Sequence, residues 1–446
     1  MLFRSFNELR YIRTKYPNSK LGSSLGLDST HLFGLNRLEN ALQYYFIYGK
    51  NARENKDQAI ETGSAEFTSG NYGAMVYSKT AIVFDYLFHY MGENKFDEAM
   101  QFYFQNYLFK HPEPADLQKT FEFFSGKDLG WLFKDFIQSS KKLDYKIKKI
   151  KEDPENGTEI LIKNKGKING PVLIGEISNE KTKSLIWFEG FEGEKWLNVP
   201  SISKGIIQID PLLCMPEINR KNNRIRVHGL FKKIEPLELK LGGGIEYPKK
   251  NSLYWLPIAG YNTHNGVMAG LYLHNYLFLE KKFHFDIAPM YGFGNQQLAG
   301  IANFSLQLHP QFAQALNFGF KMKRFAYDEF PQNKNYSRLE NYVTFEFKKK
   351  NIRSHITHQI SLHHIYINED KFTLTGNQPN ELTFHKTQTD KNFIEFRYHL
   401  KNKRVKNYYS LNSYLQSGGN NNFLKDRKST RLNSSHTDIS RMPSSA

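Results

Sequence analysis

Cysteine is nearly absent: 446 residues contain one, Cys214. A lone thiol excludes an internal disulfide framework and a zinc site built on thiolates, and Cys214 reads as a small buried apolar side chain. Long apolar runs are missing as well. No stretch of 18 apolar residues occurs, so no membrane-crossing helix is predicted. The opening MLFRSFNELRY has neither the apolar run nor the small-residue cleavage site of a secretion signal; it reads as the inside of a helix, as though the true N-terminus lay elsewhere. Acidic residues are in deficit, 44 against 61 Lys and Arg, which leaves a formal net charge of +17. Recognition helices, Cys/His fingers and RNA-binding sheet signatures are all lacking. The basic excess is therefore read as a solvated surface or one facing anionic lipid, with no nucleic-acid partner.

Aromatic residues are plentiful, at 15% with 26 Tyr and 36 Phe, a bias that favours strands, interfaces and membrane girdles. The length allows two to three domains, and the pattern predicts a multidomain α + β chain. Residues 1–142 read as helical. Val76, Val83, Leu87 and Tyr90 form one apolar row over residues 75–92, and Tyr77, Ala81, Phe84 and Phe88 form another, so that helix is predicted to be buried over much of its girth and capped by Gly92. Residues 95–109 form a second helix. Pro114 opens a third, which runs to about Phe124, and Ser125 with Asp128 has capping-box spacing before residues 129–137.

From 143 to 213 the period changes to short β-like runs broken by Gly, Asn, Asp and Pro, the pattern of a small antiparallel β-sandwich. Residues 214–228, with Asn219, Arg220, Asn222 and Asn223, read as a linker. Residues 229–424 alternate more strictly: Phe283, Phe285 and Ile287 against His284 and Asp286; Phe304, Leu306 and Leu308 against Asn303, Ser305 and Gln307; Ile394, Phe396 and Tyr398 against Glu395 and Arg397. One face is apolar and the other polar over runs approaching the ~9–11 residues that cross a bilayer. This segment is predicted to be a partial antiparallel β-barrel of outer-membrane type, with nine or ten strands, in contact with membrane lipid. Residues 425–446 lack either period and read as a non-native read-through tail.

The H-E-x-x-H zinc signature is missing, as are G-x-S-x-G, Walker and dinucleotide motifs. His355, His358, His363 and His364 lie on a strand, where alternation sends them to opposite faces, so they are wall residues and not a metal site. The Gly242-Gly243-Gly244 run reads as a kink.

The text from Asn71 to Phe133 is more specific. The tetrad Tyr77-Ser78-Lys79-Thr80, followed by His111-Pro112, Pro114 and Asp116, and then by Ser125-Gly126, Leu129 and Trp131, resembles in order and spacing the helical second half of the catalytic domain in gluzincin zinc aminopeptidases, the family of aminopeptidase N. Thr80 stands where the family usually has Gly, and Leu132 where it often has Phe. The resemblance covers about residues 5–140. It implies a thermolysin-like fold and zinc-dependent hydrolysis of peptide substrates. It also implies that the Tyr77 phenol donates to the oxyanion of the tetrahedral intermediate, with Tyr72 lining the substrate cleft. By the same alignment the zinc ligands and general base fall upstream of Met1. Glu8 is then an exposed helical carboxylate, and this fragment alone is expected to bind no catalytic zinc and to be inactive. Residues 211–250 resemble the junction in bacterial proteins of the Bacteroidetes type that precedes a surface-antigen-like barrel. That implies an outer-membrane location, with the peptidase part periplasmic or surface-exposed. The rival expectation is a degenerate, non-catalytic peptide-binding or structural domain anchored by the barrel.

Overall fold

The computed structural model describes residues 2–24, 39–153, 157–178, 181–199, 205–244, 249–276, 281–330, 332–376, 383–404, 406–418 and 423–432. They form two compact units, Met1–Glu238 with Gly244–Ser252, and Leu239–Gly243 with Leu253–Ala446.

The first unit begins with helices α1 (Leu2–Lys15), α2 (Leu21–Ser24), α3 (Leu42–Arg53) and the single turn α4 (Ser69–Asn71). A π-helix, Tyr72–Lys79, then runs straight into α5 (Thr80–Met91), followed by α6 (Glu93–Tyr107), α7 (Pro114–Ser125) and a second π-helix, Trp131–Ile137. All eight residues from Thr80 to Leu87 are buried, as the two apolar rows predict, and Gly92 ends α5 with a φ of 82° that L side chains rarely adopt. Pro114 opens α7, where its missing N–H costs nothing. The capping box, however, is Glu113 with Asp116, whose side chains each accept the other's backbone N–H. Ser125 and Asp128 do not form one. Ser125 is the last residue of α7, and Asp128 Oδ1 accepts the Gly130 N–H at 2.8 Å, turning the chain into the second π-helix.

Seven strands follow: β1 (Tyr145–Asp153), β2 (Gly157–Asn164), β3 (Val172–Ser178), β4 (Lys181–Phe188), β5 (Glu194–Val199), β6 (Ile206–Ile209) and β7 (Arg224–Arg226). They make two small antiparallel sheets, ordered β1-β2-β5 and β4-β3-β6-β7. Alternate residues of β2 are buried, so one face is dry. Ile160, Ile162, Val172 and Ile207 from the sheets share one core with Phe84, Tyr86, Leu132 and Phe136 from the helices. The Tyr86 hydroxyl donates to the Pro171 carbonyl, and a Cβ on neighbouring Gly170 would stand 2.8 Å from that hydroxyl, so the close approach needs glycine there. The helices and small sheets are thus one body and are not divided at residue 142.

Residues 214–228, read from sequence as a linker, lie within the first unit. Cys214, Met215, Glu217, Asn223, Ile225 and Val227 are all buried. Several of the segment's polar groups are bonded inside. Asp210 accepts the backbone N–H groups of Cys214 and Met215 at 2.8 and 3.1 Å, Arg220 donates to the Met215 carbonyl at 2.9 Å, and Glu217 accepts the Tyr145 N–H. Burial, with Asp144 adding to it, raises the Glu217 carboxyl well above the usual range.

The second unit is built on one sheet of eleven strands: β8 (Leu237–Leu241), β9 (Asn251–Asn262), β10 (Gly266–His274), β11 (Phe283–Gly292), β12 (Gln297–Leu308), β13 (Ala313–Asp328), β14 (Lys334–Phe347), β15 (Ile356–Thr375), β16 (Thr383–Asn402), β17 (Tyr409–Gly418) and β18 (Phe423–Leu432). Each strand pairs with its neighbour in sequence. Ten strands precede residue 423, and β18 lies mostly within the tail that sequence reading set apart. The sheet ends at β8 and β18, and among the described residues no ladder joins these edges. The expected barrel is therefore an open sheet. Closure depends on matching strand tilt and stagger around a full circle, which alternation along individual strands does not specify.

Register aligns the side chains into two contrasting faces. Leu273, Ile287, Ala302 and Met322 stand in one row, and Phe318, Val343, Leu362 and Phe396 in another. This apolar face is the exposed one: Leu298 is 69% exposed, Ile394 58% and Leu362 54%. Glu340 and His363, on the opposite, polar face, are 7% and 5% exposed. The second unit thus encloses its polar side and presents its apolar side, the reverse of a water-soluble sheet.

Candidate functional site

The site is assembled around the start of the first π-helix. Thr68 caps α4, its Oγ1 accepting the Asn71 N–H at 3.2 Å. Asn71 is buried and fully employed: Nδ2 donates to the Lys56 carbonyl at 2.7 Å and to Gln58 Oε1 at 3.0 Å, while Oδ1 accepts from Asn51 Nδ2 at 2.9 Å. Gln58 Oε1 also accepts the Thr68 N–H at 3.1 Å. One side chain thus ties α3, the loop after it and the π-helix together. The wider π turn leaves the Met75 carbonyl to a partner five residues on, and Thr80 Oγ1 donates to it at 3.1 Å. The threonine that departs from the aminopeptidase pattern has work to do where it stands.

Tyr72 and Tyr77, the two residues singled out from sequence, are neighbours on this turn. Both are half-buried. Their rings meet edge-on, 5.9 Å between centroids at 72°, and Phe67 meets Tyr72 at 5.7 Å and 85°, giving a file of three aromatics. Among the described residues the Tyr77 hydroxyl has no hydrogen-bond partner and is not enclosed. A phenol held on a pinned turn with its donor unspent is suited to stabilise a negative charge that develops during reaction.

Lys79, two positions on, was not singled out. It is fully buried, its ammonium donates to the Ser139 carbonyl at 3.0 Å, and it lies 6.0 Å from the Tyr48 ring centroid. Burial pulls its pKa down to about 7; nearby Asp57 opposes the shift and Lys142 adds to it. Asp57 is held by Lys142. Tyr48 is also fully buried, and its phenol is raised well above its ordinary value, chiefly by burial. The sequence did carry a signal: Lys79 fills the place between Val76 and Val83 in an apolar row that predicts burial. Glu8 is exposed on α1.

Among the described residues, no group of three or more His, Cys, Asp or Glu could hold a metal ion. The histidines of β15 do not converge. His363 faces the enclosed side against Glu340 at 2.8 Å, whereas His358 and His364 stand on the opposite face, His358 against the Tyr398 hydroxyl at 2.9 Å. The residues present do not fit a zinc centre.

Residues 30–136 match the Peptidase family M1 domain, a zinc-dependent peptidase family. No curated protein matches the chain. Among solved structures the chain is similar to aminopeptidase A of Legionella pneumophila in complex with aspartic acid, at 20% identity and a TM-score of 0.27; the match covers 34% of this chain and spans 18% of that one.

Proposed function

We propose that the first unit is the part of a peptide-hydrolysing domain that stabilises the oxyanion and walls the cleft, within a larger zinc metallopeptidase of aminopeptidase type. The observation that carries this is the Tyr72–Tyr77 turn, standing inside the residues that match the Peptidase family M1 domain. In this reading the Tyr77 hydroxyl donates to the anionic oxygen of the tetrahedral intermediate, and Tyr72 borders the substrate. The Asn71 network fixes the turn so that no reorganisation is needed when charge appears. In this reading zinc is held by residues other than the described ones, which offer no ligand group. In the full-length protein, Tyr77→Phe is expected to lower kcat by roughly 10²–10³-fold, with KM and zinc content little changed. Unchanged turnover would remove the oxyanion role.

The second unit supports a membrane anchor. Its outward apolar face, which carries a groove of about 390 Å³ lined by Phe283, Phe304, Leu306 and Phe318, is suited to lipid acyl chains. The parent is then a bacterial outer-membrane protein with its peptidase unit periplasmic or surface-exposed. No helix among the described residues is long and apolar enough to cross a membrane, a statement that leaves strand-borne crossing open. A second reading is a non-catalytic peptide-binding domain on the same anchor. Zinc analysis of the full-length protein separates the two, because a stoichiometric ion favours the enzyme.

A further inference from the structure

The enclosed face of the second unit holds a polar cavity of about 330 Å³, formed by β12 to β16. Its walls divide into side chains that are already engaged and side chains that are not. His363 bridges Glu340 Oε1 at 2.8 Å and Ser361 Oγ at 2.9 Å, Arg397 is held by Glu395, and His399 meets Asn412 at 2.6 Å. Glu340 also takes Arg338 at 2.7 Å. These groups form a wall of side chains engaged with one another.

The second set has both signs of charge. Lys321 rests 4.8 Å over the Tyr342 ring, and among the described residues no carboxylate lies within 4.0 Å of its ammonium. The side chains of Glu346, Gln359 and Thr344 make no hydrogen bond or ion pair among the described residues. Asn317 hydrogen-bonds Tyr342 through its side chain, but among the described residues its Oδ1 is buried without a partner, a cost that a ligand N–H would remove.

Register places these groups in order. Glu346 lies opposite Ala315 and Gln359, Thr344 opposite Asn317, and Tyr342 opposite Gly319. A Cβ at Gly319 would fall 2.0 Å from the Tyr342 ring, so glycine lets that ring lie flat on the strand, beneath the Lys321 ammonium. Glu346 and Lys321 are therefore six residues apart along the strand, roughly 20 Å between backbones at ~3.3 Å per residue, and the Lys321 side chain leans back over the Tyr342 ring, which brings its ammonium closer to the Glu346 end. A peptide of two or three residues spans roughly 7–11 Å. We propose that this cavity binds a short zwitterionic peptide, its terminal ammonium at Glu346 and its terminal carboxylate at Lys321, with Asn317 Oδ1 and the Thr344 hydroxyl meeting backbone amides. The helical unit takes no part in the site, so it stands or falls separately from the peptidase reading.

Calorimetric titration of the full chain in detergent with trialanine, N-acetyl-trialanine and trialanine amide tests this. Trialanine is expected to saturate the protein, and each capped peptide to bind about tenfold or more weakly. Glu346→Gln should erase the difference between free and acetylated peptide, and Lys321→Met that between acid and amide. Equal binding of all three peptides, or no saturable binding at millimolar concentration, overturns the proposal on the wild-type protein alone, whatever the variants do to folding.

Discussion

Tyr77 and Lys79 sit two positions apart and have opposite requirements. The tyrosine is useful because its hydroxyl is unspent, the lysine because its ammonium is withdrawn from water and bound to the Ser139 carbonyl. The depressed pKa of Lys79 makes stability depend on pH in a defined direction. Below about pH 7 both folded and unfolded chains carry the proton, and the cost of burying the charge is fully present. Between about 7 and the ordinary lysine value of 10.5 the folded chain releases the proton first, so stability rises with pH through that window. Urea unfolding at pH 6.5 and pH 9 should show the wild type gaining on the order of a few kcal/mol. Lys79→Met should lose most of that gain, and identical pH dependence in the two proteins would exclude Lys79 as its source. The motif singled out Tyr77. Nothing in it singled out Lys79, and only the apolar row around that lysine betrays its burial.

Among elements, the first π-helix depends most heavily on one side chain. Asn71→Ala removes three side-chain hydrogen bonds, those with Asn51, the Lys56 carbonyl and Gln58, of which Gln58 keeps the Thr68 N–H. It should cost about 2–4 kcal/mol and speed amide exchange over residues 72–79 more than over α6. Uniform loss of protection across the helices would show that Asn71 has no special hold on the turn. The helix itself was legible from residue 75 onward because burial on all sides leaves two apolar rows. The π register was not, since a wider turn is imposed by its anchors: Asn71 at one end and Thr80 at the other. The capping box was misplaced for a similar reason. Two spacings, Glu113–Asp116 and Ser125–Asp128, compete within fifteen residues, and the proline at position 114 decides for the first.

For the whole molecule, alternation along single strands revealed the large sheet and its two unlike faces, the apolar one read as outward, but not whether the edges would meet. The bonds that tie the helices and residues 214–228 to the small sheets are long-range, Tyr86 to Pro171 and Tyr145 to Glu217, and no local pattern carries them. The inverted faces make a prediction at this scale. In water, replacing a residue as exposed as Leu362 by arginine changes stability by about 0.5 kcal/mol or less. Against lipid the same change costs about 2–4 kcal/mol. Leu362→Arg should therefore reduce folding into vesicles while leaving the secondary structure of a detergent-solubilised sample intact. Indifference in vesicles would rule out lipid contact at that face.

That inversion has a further consequence for how the chain can be handled. In the membrane-anchor reading the helical body stands in water, and the large sheet needs an oily medium around its Phe, Leu and Ile rows. Stripping amphiphile from the preparation should precipitate the sheet while the helical body is still intact. Harsh anionic surfactant should melt the helical body first and spare the strands. Each half of the chain is denatured by conditions the other tolerates, so a single melting curve will show two steps whose order reverses with the medium.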